Sequence, residues 1–281
     1  MKAFLRKYLD QHFPGISRYY RKQRDMRLRK KTKTYRSAFG FTVQGDTSQH
    51  YSEGNADEAR IHSHEIENFL ALTAQVETVI DIGANIGMFT MLALKEKRHV
   101  ICVEPGTQNF RNLVANLYAN QFTDAEIYNC ALSDQTGIQE FYGDGEMASL
   151  NEQWGNTDAR YSELVCINTL DNIVGKRFEG DPVLVKMDVE GYEYHVLQGA
   201  QSFLKRNGPT YWILEHGLTE NFPTINPHYL DVFECFWNHG YSTTTFDSEN
   251  RTVTREDVES WIKNRKRSFG GINFLFSSIK K

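Results

Sequence analysis

No apolar run in this chain approaches the roughly 20 residues that a membrane-spanning helix needs, so no transmembrane segment is expected. The opening stretch MKAFLRKYLDQHFPG also lacks the continuous apolar core of a secretion signal, because charges interrupt it every few positions. It is Arg-rich and acid-poor in the manner of an organelle transit peptide, yet Ser17 is the only serine of residues 1–36, which argues against that reading. Cysteine is scarce. Cys102, Cys130, Cys166 and Cys235 form no C-x-x-C pair, and Cys102 and Cys130 fall in expected strands, where Cys behaves as a small hydrophobe. A reducing, cytoplasmic compartment follows. The chain also lacks internal repeats, and beyond its basic N-terminal arm it lacks low-complexity tracts.

What is present is ordinary in composition and uneven in charge. With 281 residues, the chain has room for one large domain or for one domain with an extension. Residues 1–36 carry thirteen Lys/Arg against Asp10 and Asp25, a net of +11, so the other 245 residues sum to -15 within the overall -4. A basic arm on an acidic body suits an anionic partner surface, which would place the protein peripherally at the inner membrane face. The alternative is a solvated helix resting on the acidic body of its own fold. Residues 1–58 read as this extension and its lead-in, and 59–281 as the main domain. Within the arm, Phe4, Leu5, Tyr8 and Leu9 trace a rough helical stripe.

From Thr78 onward strands and helices alternate. Expected strands are 79–82, 100–104, 126–131, 164–167, 183–189, 210–215 and 241–246, with helices at 59–74, 87–95, 107–120, 192–205 and 227–238. Phe110, Leu113, Val114, Leu117 and Tyr118 recur at three and four residues and form a core face. Residues 133–170 break the rhythm with hairpin-like pieces. Thr254 and Asp257 open a further helix, and 272-INFLFSS-278 closes the chain as a strand with no helix after it. This order predicts a Rossmann-like, doubly wound α/β fold: a mostly parallel sheet of about seven strands with an antiparallel last strand, the class I methyltransferase type.

The stretch 78-TVIDIGANIGMFT-90 runs from an apolar strand through a glycine turn into an apolar helix. Glycines there let backbone approach a ligand, and the helix offers its free N–H groups. Glu104 ends the second strand 21 residues after Gly83, where an acid would hydrogen-bond ribose hydroxyls. Dinucleotides and S-adenosylmethionine share both features. The spacing is G-x-x-x-G, with Asn85 where a pyrophosphate loop has its middle glycine, and no G-K-[ST] follows for a triphosphate. A charged Asp81 about 5 Å from each charge of a diphosphate would cost roughly 3 kcal/mol per pair at an effective dielectric near 20. The same charge would favour an ammonium and a sulfonium, so S-adenosylmethionine is the expected cofactor. The competing reading of Asp81 is a buried acid bonded to turn amides.

The acceptor belongs beyond the end of the fourth sheet strand, 183-VLVKMDVEGYE-193. Enzymes that methylate amino groups of nucleic acids place [DNS]-P-P-[YF] there, cytosine-C5 enzymes need Pro-Cys, and radical enzymes need C-x-x-x-C-x-x-C; all three are absent. Nucleic acid is therefore not the expected acceptor. Asp188, Glu190 and Glu193 stand there instead, with Lys186 two residues before Asp188, and carboxylates suit binding and deprotonating a hydroxyl. Strand alternation aims Asp188 and Glu190 to one side.

With these residues in view, the chain resembles the FkbM-type methyltransferases. The matching blocks are 79-VIDIGANIGMFT-90, 103-VEP-105, 129-NCALSD-134, 169-TLD-171, 186-KMDVEGYEYHVLQGA-200 and 213-ILEHG-217, spanning about residues 60–220. The resemblance implies a Rossmann-like fold, S-adenosylmethionine, and O-methylation of a sugar, glycolipid or secondary metabolite. It also implies roles. Asp81, Gly83, Asn85 and Gly87 would line the methionine part, Glu104 with Pro105 and Asn109 the ribose, and Cys130, Ala131 and Leu132 the adenine. Asp188 and Glu190 would face the reacting centre, with Glu215 and His216 completing an acidic pocket and His216 a candidate base.

Other readings stand beside these. His216 as a strand-end histidine satisfied by backbone, His195 as packing, and His62 and His64 as surface residues are the bland ones. Lys186 reads equally as the ion-pair partner that keeps Asp188 charged. Asp188, Glu190 and Glu215 also offer the oxygen ligands Mg²⁺ takes, though no metal site is favoured. Different function classes are an NAD-dependent oxidoreductase, and a non-catalytic protein using its basic arm on anionic lipid or nucleic acid.

Overall fold

Strands covered on both faces read as continuous apolar runs rather than alternating ones, and the segments at Val79, Val100 and Val183 have that form. The computed structural model describes residues 34–45, 63–143, 147–152, 154 and 162–278. The helical stripe expected near residues 4–9, and His62, lie outside them.

The chain enters with a short antiparallel hairpin, β1 (Thr34–Arg36) and β2 (Thr42–Gln44). It continues through α1 (Ser63–Thr73), β3 (Thr78–Ile82), α2 (Met88–Lys95), β4 (His99–Val103), α3 (Thr107–Ala119) and β5 (Ala125–Tyr128). A second, small sheet follows from β6 (Ala131–Leu132), β7 (Gly137–Tyr142) and β8 (Ser162–Asn168). The chain returns through α4 (Leu170–Val174), β9 (Val183–Met187), α5 (Glu193–Gln198), α6 (Gln201–Leu204) and β10 (Thr210–Glu215). It ends with α7 (Tyr229–Trp237), β11 (Ser242–Thr245), α8 (Arg255–Asn264) and β12 (Asn273–Ser277).

The large sheet has seven strands in the order β11-β12-β10-β9-β3-β4-β5. All its pairs from β10 to β5 are parallel, and β12 runs antiparallel to both β10 and β11. That is the expected α/β architecture with its antiparallel last strand. One apolar layer packs α1, α2 and α3 on one face, and the other packs α4 to α8 on the opposite face. The strand order reverses between β3 and β9, so the crevice that such a reversal opens lies beyond Ile82 and Met187.

Several boundaries differ from expectation for identifiable reasons. The predicted strand 126–131 is two strands in two sheets, split at Asn129, whose side-chain amide donates to the carbonyls of Glu104 and Pro105. The predicted helix 192–205 breaks at Gly199, where a Cβ would lie 2.0 Å from the Ser133 carbonyl oxygen; Asp171 then caps α6 through the N–H groups of Ser202 and Phe203. Tyr118, expected in the core face of α3, is 74% exposed. Asn116 of that helix and Asn120 just after it instead pair amide-to-backbone with Gln44 and Thr42, holding the hairpin against the helix. Phe41 and Val43 are buried in the α1–α3 layer, so residues 34–45, counted in the extension by sequence, pack with the body. The capping box at Thr254 and Asp257 forms as expected.

Candidate active site

A cleft of about 580 Å³, counting its open mouth, sits at the β3/β9 reversal. Eight residues expected at the cofactor line it: Gly83, Asn85, Glu104, Pro105, Asn109, Cys130, Ala131 and Leu132. Asp188 and Glu190 line it too. Asp81, Gly87 and His216 are not among the lining residues.

Glu104 is the most constrained of these groups. One carboxylate oxygen accepts the Asn85 N–H at 2.8 Å and the other the Gly106 N–H at 2.8 Å, so the acid staples the glycine loop to the start of α3. Burial pushes its pKa up to about 7, against the lowering effect of those two N–H bonds. Asn85 holds a left-handed backbone (φ 52°), and its side-chain oxygen is buried without a hydrogen-bond partner. An orphaned acceptor at a cavity wall fits a ligand that brings a donor.

The two glycines serve the protein's own packing. A Cβ on Gly83 would lie 1.8 Å from the Asp188 carbonyl oxygen, and one on Gly87 2.3 Å from Leu113 Cδ1. Both have positive φ (77° and 88°), which disfavours any other residue. The Asp188 N–H also donates to the Ile82 carbonyl at 3.0 Å. The loop after β3 and the turn after β9 are thereby joined backbone to backbone.

Asp81 points into the α1–α3 layer. It is 1% exposed, accepts the Thr90 hydroxyl at 2.6 Å, and pairs in register with Lys186 on β9. Lys186 Nζ in turn lies 2.9 Å from Asp188 Oδ2 and 4.8 Å from the centre of the Phe89 ring. Burial works against the lysine's charge, but Asp188, Glu65 and Asp81 outweigh it and hold the ammonium protonated. Burial also raises the Asp81 pKa while Lys186 lowers it. Asp81 thus sits behind the cavity wall, and it shares the single cation Lys186 with Asp188.

The fourth-strand acids are arranged differently from the alternation rule. β9 ends at Met187, and Glu190 sits in a left-handed turn with φ 53°. Its Oε2 accepts the Trp154 indole N–H at 2.7 Å, and its carbonyl accepts the Ser149 hydroxyl at 2.7 Å. Burial, and then repulsion from Asp188, push its pKa up to about 8. The same two causes push Glu215, at the end of β10, to about 9.

His216 is turned inward. It is 1% exposed, stacks on Tyr229 with ring centres 4.8 Å apart, and engages both nitrogens: Nδ1 with Glu193 Oε2 at 3.3 Å and Nε2 with the Tyr229 carbonyl at 3.1 Å. Glu193 uses its other oxygen on the Gly191 N–H at 2.9 Å. The expected base is therefore a buttress under the 190–193 turn. His195 stacks on Tyr192 at 4.3 Å, and His64 is exposed beside Glu67. Among the described residues no group of three or more His, Cys, Asp or Glu is placed to hold a metal ion, so the Mg²⁺ reading of Asp188, Glu190 and Glu215 gains no support. No described helix is long and apolar enough to cross a membrane.

Sequence reasoning missed the roof of the site. Phe141, Ala148, Leu150 and Tyr192 line the cleft, the first three from the segment that broke the strand–helix rhythm. Trp154 lies just behind them, 4% exposed, over Gly191 and edge-on to Phe222. Its one sequence signal is a large aromatic residue in the polar run 151-NEQWGNTDAR-160.

Residues 81–243 match the family model of the methyltransferase FkbM domain. No curated protein matches the chain. Among solved structures it is similar to geranyl diphosphate C-methyltransferase from Streptomyces coelicolor A3(2), at 12% identity over 79% of this chain and 81% of that one, TM-score 0.45. It is similar to a SAM dependent methyltransferase from Aquifex aeolicus, at 11% identity over 83% and 97%, TM-score 0.41. Precorrin-6y C5,15-methyltransferase from Geobacter metallireducens GS-15 is a third, at 10% identity over 75% and 87%, TM-score 0.39.

Proposed function

The chain belongs to the FkbM methyltransferase family, and from that premise we propose that it transfers the methyl group of S-adenosylmethionine to a hydroxyl oxygen of a sugar, glycolipid or secondary metabolite. Family membership sets the hydride-transfer alternative aside. The observation that carries the choice of oxygen is the pair Asp188 and Glu190 on the wall of the cleft, with no Lys or Arg among the described residues of its lining. Two acids there suit an uncharged hydroxyl that must be oriented and relieved of its proton.

The residues present fit the cofactor. Asn85 offers its orphaned side-chain oxygen to an ammonium, and Glu104 has lone pairs remaining for ribose hydroxyls beyond the two N–H bonds it accepts. Cys130, Ala131 and Leu132, with Phe141, give an apolar wall suited to an adenine. When bound, S-adenosylmethionine supplies an electrophilic methyl group on a positive sulfonium. Asp188, held by Lys186, orients the acceptor hydroxyl. Glu190 takes its proton as the oxygen attacks, a contribution of about 10²–10⁴-fold for a positioned base. Gly83, Gly87 and Asp81 support the loop from behind. The basic residues 1–33 are proposed as an anionic-membrane contact that delivers the body to a lipid-linked or surface-bound acceptor.

The test is a transfer screen with S-adenosylmethionine and neutral glycosides, glycolipids and polyhydroxylated metabolites, reading release of S-adenosylhomocysteine. The methyl position is then located by mass spectrometry and NMR. A methyl found on carbon or nitrogen of the true acceptor overturns the assignment to oxygen.

A further inference from the structure

Glu190, on the cleft wall, is held in position by a segment distant in sequence. Its left-handed backbone is one that residues other than Gly, Asn and Asp rarely hold, and the next residue, Gly191, is left-handed as well (φ 85°). Nothing in β9 dictates this geometry, because the strand has already ended at Met187. What holds it comes from Ser149 and Trp154, some forty positions earlier. The Ser149 hydroxyl, fully buried, donates to the Glu190 carbonyl and itself accepts the Asn151 N–H at 2.9 Å. The Trp154 indole N–H donates to Glu190 Oε2, and its six-membered ring lies where a Cβ on Gly191 would come within 2.3 Å. Phe222 braces the indole edge-on at 4.8 Å.

We propose that Trp154 is a positioning residue for methyl transfer: its indole N–H fixes the Glu190 carboxylate on the cleft wall, and its ring locks the turn that carries that acid. The inference rests on the reading of Glu190 as the group that receives the acceptor proton. It also explains why the residue is tryptophan. Phenylalanine would fill the space over Gly191, but only an indole adds a donor without adding an acceptor that would compete for Glu190. Ala148 and Leu150 of the same segment line the cleft, so the loop that lines the cleft is also the loop that sets the acid.

The charge environment gives the contact a measurable consequence. Glu190 faces Asp188 and Glu193, which oppose its ionisation, with Glu215 beside them, and Lys186, which favours it. The Trp154 N–H favours the ionised form. A hydrogen bond to a charged group, removed from one protonation state only, shifts a titration by about one unit or more. Losing the indole N–H therefore raises the pH at which Glu190 becomes a usable base.

The experiment uses the full chain labelled with ¹⁵N-tryptophan, whose four tryptophans give four indole N–H signals. One of these signals should titrate with pH, and Glu190→Gln should abolish that titration; this comparison needs neither an acceptor nor a Trp154 variant. Trp154→Phe should remove the same signal and leave S-adenosylhomocysteine affinity by calorimetry within about twofold. With the hydroxyl acceptor from the screen, it should slow kcat about tenfold and move the acid limb of the pH–kcat profile upward by about one unit. In a Glu190→Gln background it should add nothing further, as residues acting through one another do. The inference is overturned if no indole signal follows Glu190, or if Trp154→Phe keeps the wild-type pH profile. It is overturned equally if the variant slows turnover as much without Glu190 as with it, the mark of a merely structural residue. Wild-type turnover of Glu190→Gln would remove the base assignment itself, and the role of Trp154 with it. A slow Glu190→Gln beside an indifferent Trp154→Phe would leave that assignment standing and discard only this inference.

Discussion

Glu104 sets two large effects against each other, and pH separates them. Its carboxylate is 4% exposed, which disfavours the charge, yet each oxygen accepts a backbone N–H at 2.8 Å, which favours it. Burial prevails, and the pKa rises from 4.5 to about 7. The native state thus holds a proton that the unfolded chain releases. Stability from this group is fully present below pH 4.5 and is lost as pH rises through 7, because the slope of unfolding free energy follows protons bound in the unfolded state minus those in the native one. A shift of about 2.5 units at 1.36 kcal/mol per unit gives a loss of about 3 kcal/mol, a large share of an ordinary domain's 5–15 kcal/mol or so. Glu104→Gln has no such titration. It gives up one acceptor oxygen, a penalty of about 1–3 kcal/mol that does not vary with pH. Urea unfolding of both proteins without cofactor between pH 4 and pH 8 should therefore show the variant gaining about 3 kcal/mol relative to wild type as pH rises, while other titrating groups cancel in the difference. A flat difference, or one that changes in favour of wild type at high pH, would mean the two N–H bonds outweigh burial and would refute the reasoning.

The other expectations are briefer. Gly83→Ala places a Cβ against the Asp188 carbonyl in a left-handed turn; overpacking and backbone strain together should cost about 2–5 kcal/mol in urea unfolding, with loss of S-adenosylhomocysteine binding by calorimetry. Asp188→Asn and Glu190→Gln should each slow methyl transfer by about 10²–10⁴-fold with folding intact by circular dichroism; wild-type rates in both would dismiss the acids from the chemistry. Removing residues 1–33, which stops short of β1, should leave a folded protein that binds cofactor but sediments less with anionic vesicles, an effect fading with salt because screening acts within about 8 Å at physiological ionic strength. Unfolding on truncation would make the arm part of the body.

The sheet was readable because β3, β4 and β9 are buried on both faces and spell that burial as apolar runs. The cleft was readable because a doubly wound sheet brings strand ends together wherever its order reverses, so acids ending β4 and following β9 were bound to meet near Gly83. What was not readable depends on contacts between distant segments. Asp81 meets Lys186 through a register between strands a hundred residues apart, and a linear reading of the glycine loop has no access to that cation. His216 follows Glu215, and adjacent strand positions face opposite sides; the sequence alone does not say which of the two meets Tyr229 and Glu193. The Gly199 break depends on Ser133, and the clamp on Glu190 on a tryptophan in a run with no periodicity.

These distant contacts converge on one turn, residues 188–191. Backbone joins it to the glycine loop through Asp188 with Ile82 and Gly83, Lys186 pairs with Asp188 from beneath, and Glu193, braced by His216, takes the Gly191 N–H. Trp154 and Ser149 close it from above. A turn held from four sides stays in a backbone conformation that its own residues would not choose, since a left-handed non-glycine residue is expensive unless its surroundings over-determine it. Methyl transfer has a matching requirement. Cofactor and hydroxyl must be held in line and in contact, and misplacement by about an ångström can cost about a hundredfold in rate. Because Gly83 and Asp188 touch through backbone, any movement of the acids in this turn is also a movement of the loop whose Asn85 N–H Glu104 accepts. The rigidity that strains Glu190 is thus the same rigidity that keeps the two halves of the site in register.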